Sequence, residues 1–158
     1  MPDQKPPRLA ADERETLHCL HQYQRESLVR KVAGVDDDSG RRLFVASGTT
    51  LLWLLKHMAR AESLWIVQRF AGQDDDTSDS TVFPGDTVEA AVDVYQRTWR
   101  RVDDVVALTP SLDEVASGDG DQAPVNLRWI LMHLLEETAR HAGHADILRE
   151  LLDGQTGR

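Results

Sequence analysis

The sequence predicts an all-α protein built as a four-helix bundle. Apolar residues recur at helical spacing through four long stretches, and capping residues, glycine or proline bound each one. No run alternates in the manner of a half-buried strand, and no segment repeats at a fixed period. Apolar residues make up 41% and charged residues 28% of 158, a balance that fits a folded globular chain able to bury a core without disulfides.

Residues 1–9 carry Pro2, Pro6 and Pro7 without periodicity and read as a loose leader. Residues 10–158 then form one domain. The first helix opens between Ala10 and Glu13 and runs to Ala33, where Gly34 stops it. Residues 34–48 are a polar connection broken by an apolar patch at Leu43–Val45. The second helix follows Ser47 or Thr49, either of which can cap it, and ends at Ala71 before Gly72. Residues 73–85 are acidic and finish on a Pro84-Gly85 turn signal. Asp86, with Glu89 three residues on, has the outline of a capping box for a third helix that reaches about Leu108 ahead of Pro110. A second acidic loop spans 111–124, and the fourth helix runs from about Val125 to Asp153, with Gly154 beyond. These connections exceed the roughly 2–8 residues usual between bundle helices, as a crossover or site-shaping loops would.

The formal charge of -9 repels phosphate backbones, so nucleic acid is not an expected partner. The single cysteine, Cys19, rules out an intrachain disulfide and suits a reducing cytoplasm. No apolar signal region is visible at the N-terminus, and Lys56, Arg60, Glu62 and Arg69 break the longest apolar runs. A cytoplasmic protein with no membrane span is therefore expected.

The fourth helix carries the most chemistry. On a helical wheel, Leu127, Ile130, Leu131, Leu134, Ala142, Ala145 and Leu148 share one apolar face with Leu135 and Leu152. His141 falls inside that face, Glu137 on its rim one turn earlier, and His144 and His133 further round the rim. Glu136 falls on the solvent side. A carboxylate and an imidazole turned toward a core need a partner, because an unpaired buried charge costs several kcal/mol. Residues four apart on one helix face can converge on one ion, as the two histidines of the H-E-x-x-H motif do on zinc. His57 on the second helix, flanked by Ala61 and Leu64, is the candidate third ligand. That helix is apolar nearly all round, so it is expected to be buried on several sides, with spare surface for a dimer contact.

Plainer readings stand beside this one. Glu137 and His141 can be an ion pair, and His141 a hydrogen-bonded packing residue. His18 and His21 have a metal-compatible spacing but no third partner, and read as solvated or packing residues. His133 and His144 read as supporting or packing groups, with extra ligands or a proton relay as the alternatives, Cys19 as a small packing residue, and the four tryptophans as core or site lining. The Asp-rich loops lack EF-hand spacing and read as solvated surface.

Three segments, in order, resemble the DinB-like superfamily. NLRWILMHLLEETARHAGHADILRELLDGQTG (126–157) is similar to its C-terminal helix, TLLWLLKHMARAESLWIVQRFAG (50–72) to its second helix, and YQRESLVRKVAG (23–34) to the end of its first. The nearest branch is an actinobacterial type of mycothiol- or bacillithiol-dependent transferases. The resemblance implies a bundle of up-down-down-up topology, often a homodimer. It implies a metal triad that falls here on His57, Glu137 and His141. Many members have His at the position of Glu137, while the branch acting in maleylpyruvate isomerisation has Glu. A carboxylate is a harder ligand than imidazole, which leaves zinc first and nickel or iron as alternatives. The implied co-substrate is a low-molecular-weight thiol, added to a small electrophile. A thiol-dependent isomerase, a stress-related bundle that binds metal or ligand without turnover, and a dimeric interaction protein with a vestigial site are the alternatives.

Overall fold

The computed structural model describes residues 5–75, 77, 79–117 and 123–157. The first four residues of the leader and parts of both acidic loops lie outside that range. The elements are α1 (Glu13–Val32), α2 (Asp37–Gly40), α3 (Leu51–Glu62), a π-helical segment (Ser63–Phe70), α4 (Val88–Leu108) and α5 (Leu127–Asp153). Among the described residues the chain is all-helical apart from an isolated bridge between Val115 and Asn126. No described helix is long and apolar enough to cross a membrane.

Side-chain caps set the starts of the long helices. Asp12, Thr50, Thr87 and Asn126 accept from the backbone N–H of Glu15, Trp53, Ala90 and Trp129. Thr87, and not Asp86, therefore caps α4. Asp86 instead accepts from the Phe83 N–H and the Lys56 ammonium, and so ties the 83–86 turn to α3. Gly154, at φ 75°, closes α5 in the left-handed conformation that favours glycine.

Two features were not expected. The polar connection after α1 contains α2, capped by Asp36, and it packs closely against α4: a Cβ on Gly40 would sit 2.6 Å from Val88 Cγ2. The second long helix is also not uniform. Its hydrogen-bond pattern widens after Glu62 into the π-helical segment, which changes the direction of every side chain beyond that point.

α1 packs along α5, and α3 along α4. His21 meets Thr138 and Lys31 meets Asp146, so α1 and α5 run in the same direction. His57 meets Glu137 and Trp65 meets Trp129, so the helix of α3 and its π-helical extension opposes α5. One apolar cluster joins Leu28, Leu52, Leu55, Met58 and Tyr95, and a second joins Ile66, Val67, Val102, Ile130 and Leu134. The second long helix feeds both clusters, as its nearly all-round apolar surface predicts.

A polar network lies within this packing. The Arg25 guanidinium donates to both Glu62 oxygens, with Nη2 to Oε2 at 2.5 Å, and both side chains are fully buried. Tyr95 Oη donates to Glu62 at 3.2 Å, His21 Nε2 lies 3.4 Å from it, and Arg25 also reaches Asp103 at 2.8 Å. Burial pushes the Glu62 carboxyl up, but Arg25 and His21 override it and hold the group down to about 2. Burial pushes the His21 imidazole down and the Tyr95 hydroxyl up. The network ties α1, α3 and α4 together in one register.

Candidate metal centre

The opposed run of α3 and α5 brings three sequence candidates together. Glu137 Oε1 lies 3.3 Å from His57 Nε2 and 3.1 Å from His141 Nε2. One donor atom from each residue falls within 4.8 Å of the other two. Glu137 and His141 share a face because they are four apart on α5, and the core position of His141 turns the pair toward α3. His141 is buried while His57 and Glu137 are half-buried, so the cluster keeps an open side.

Neighbouring rings hold the imidazoles in place. Trp53 stacks on His57 with centroids 4.6 Å apart and planes 9° from parallel, and it meets His141 edge-on at 6.1 Å. His144 Nδ1 lies 3.2 Å from His141 Nδ1, so one ring donates to the other. Because a carboxylate only accepts, the Glu137 contact calls for a proton on His141 Nε2; with the proton on Nδ1 instead, donated to His144, Nε2 is free to ligate.

Protonation suits ligation. Burial pushes the His141 imidazole down, His57 adds to this, and Glu137 opposes both. Burial pushes the Glu137 carboxyl up, but hydrogen bonding from His57 and the nearby His141 hold it below the usual range. At neutral pH the cluster thus offers a carboxylate beside a neutral imidazole, the forms that bind metal. Two cavities reach its neighbours. One of about 470 Å³ is lined by Arg41, Leu43, Trp53 and Phe83, and one of about 230 Å³ by Val45, His144, Ile147 and Leu148.

The other sequence candidates separate. Glu136 is exposed and pairs with Arg140. Exposed His144 touches His141, whereas His133 packs between Trp65 and Trp129. His18 is exposed with Nδ1 3.8 Å from Asp103, and Cys19 is half-buried. Of the tryptophans, Trp53 lines the cluster and Trp99 is core, but Trp129 is 46% exposed.

Sequence reasoning missed the Arg25–Glu62 network. Its signal was present: Glu62 follows Met58 by four and Leu55 by seven on the apolar stripe of α3. Arg25 sits between His21 and Leu28 on the buried face of α1.

Fold and cluster define a helical-bundle protein with a candidate three-residue metal centre between facing helices. The chain belongs to the mycothiol S-transferase family, whose profile matches residues 16–154. This bears out the family resemblance read from the sequence. Among solved structures the chain is similar to a conserved protein from Enterococcus faecalis, with a TM-score of 0.70 and 17% identity. That match covers 92% of this chain and 100% of the other, and at this identity it speaks to fold alone. No curated protein matches the chain.

Proposed function

We propose that His57, Glu137 and His141 hold a divalent metal, zinc first, and that the protein transfers a mycothiol-type thiol to a small electrophile. The observation that carries this is the convergence of two imidazoles and one carboxylate, with the Glu137 carboxyl and the His141 imidazole both held toward their ligating forms, in a chain of the mycothiol S-transferase family. The donor set fits a catalytic rather than a closed structural site, because three protein ligands leave a position open. When bound, such a metal supplies Lewis acidity that lowers the pKa of a thiol in that open position.

The chain's own residues do the rest. On giving up the protons they share with Glu137, His57 and His141 would turn Nε2 toward the cation, and the Glu137 carboxylate would offset part of its charge. Trp53 fixes the His57 ring by stacking, and His144, when it accepts from His141 Nδ1, holds the His141 tautomer that leaves Nε2 to ligate. The cavities beside Trp53 and His144 give a small electrophile room to approach the cluster. A cytoplasmic homodimer belongs to the same reading, with exposed Ile147 and Leu151 on α5 as apolar surface for a second copy.

A conjugation assay with mycothiol, bacillithiol and glutathione against a small electrophile tests the proposal. Metal-dependent turnover, preferring mycothiol and lost in Glu137→Ala, is expected. Metal binding with no turnover on any thiol would favour a non-catalytic binding bundle instead.

A further inference from the structure

On the same seam between the second long helix and α5, a group of aromatic rings lies open to solvent. Trp65 meets the Trp129 ring at 5.5 Å and the His133 ring at 5.0 Å, and Trp129 stacks on His133 at 5.1 Å with planes 20° apart. The Arg69 guanidinium lies over the Trp65 face, 4.4 Å from its centroid. Trp129 leaves 46% of its surface in water and its neighbour Met132 leaves 57%, so the rings are not sealed into the core.

The π-helical segment explains how Trp65 joins the group. Regular α geometry would set Trp65 roughly 80° away from the His57 direction. A π-helical turn holds more residues and advances each by a smaller angle. Trp65 therefore lags toward the His57 side and faces α5. On α5, His133 precedes Glu137 by four residues, one turn or about 5–6 Å along the same face. The rings thus begin one turn from the candidate metal centre, within reach of a ligand whose reactive end sits there.

We infer that Trp65, Trp129 and His133 form a stacking subsite for a carbohydrate ring carried by the thiol co-substrate. This rests on the thiol-transfer reading above and deepens it. Flat indole faces pack against the C–H face of a sugar ring, while the His133 nitrogens and the indole N–H groups suit its hydroxyls. A purely apolar ligand would gain nothing from the polar atoms at this edge. Mycothiol is a thiol built on a sugar, so its sulfur can lie at the metal centre while its rings lie on this platform.

The test uses S-methyl mycothiol, which keeps the sugar and has no free thiol, titrated calorimetrically into the protein as purified. Binding to wild type is expected, weakened roughly tenfold in Trp129→Ala and little changed in Trp129→Phe. In turnover, the KM for mycothiol should rise by the same factor in Trp129→Ala with kcat unchanged. Activity with N-acetylcysteine, which has no sugar, should not move. Binding of S-methyl mycothiol that depends on Trp129, in a protein that turns over no thiol, would keep the subsite and sink the transfer reading. Absent binding to wild type, or equal binding by Trp129→Ala, would overturn the subsite. A Trp129→Ala variant that only converts a dimer to a monomer, with affinity unchanged, would also overturn it and mark the patch as a contact between copies.

Discussion

Replacing Arg25 with Met isolates the cost of an uncompensated buried charge. Wild-type Glu62 is fully buried, takes three guanidinium contacts at 2.5 to 3.1 Å, and has its carboxyl held down to about 2. Against an ordinary value of 4.5 that shift corresponds to about 3 kcal/mol of charge-state preference. Without Arg25, the carboxylate retains only the Tyr95 hydroxyl and the neutral His21 as close partners. Breaking such a pair costs about 3–5 kcal/mol, a large share of the roughly 5–15 kcal/mol that holds a domain folded. Urea denaturation at pH 7 should therefore show a loss of that size in Arg25→Met. The double variant Arg25→Met/Glu62→Leu should recover most of it, because an apolar pair can replace a buried ion pair at little cost. The sign with pH follows from the depressed Glu62 value: its stabilisation is complete above about 4.5 and is lost as pH falls toward 2. A loss under about 1 kcal/mol in the single variant, or a double variant no better than the single, would refute this account of the network.

Two further predictions rest on the same geometry. Burial holds His21 neutral in the fold, while the unfolded chain binds a proton below about pH 6.5, so His21 contributes to a fall in stability as pH drops through that range. His21→Gln should show a smaller decline in Tm between pH 7 and 5 than wild type, and parallel profiles would contradict it. Trp53→Ala removes the parallel stack on His57 and should weaken zinc binding by up to about tenfold in a chelator competition, whereas unchanged affinity would deny the ring its orienting part.

Periodicity and end signals were enough to place the long helices to within a few residues, because caps and glycine stops are local chemistry. The His57, Glu137 and His141 cluster was legible in part for the same reason: two of its members share one helix, and spacing alone puts them on one face. His57 was only a candidate on a second helix, since its meeting with α5 depends on helix pairing and direction that a wheel does not contain. The Arg25–Glu62 network escaped because its members come from three helices, and Glu62 on its own looked like an interruption of an apolar run. The widening after Glu62 escaped too. A π-helical turn leaves the apolar content intact and alters only the angle of later residues, so the wheel set Trp65 on the face beside His57 but could not show that it swings further round to meet Trp129 and His133 on α5. Asp86 misled in a smaller way: it resembled a cap by spacing, but Thr87 beside it has the capping hydroxyl, and Asp86 takes Lys56 instead.

The most direct test of the metal centre is elemental analysis of untagged protein purified without added metal, for wild type and for His57→Ala/His141→Ala. The account predicts about one equivalent of a divalent ion per chain in wild type and its loss in the double variant, with helical content retained. Stoichiometric metal surviving in the double variant would contradict it.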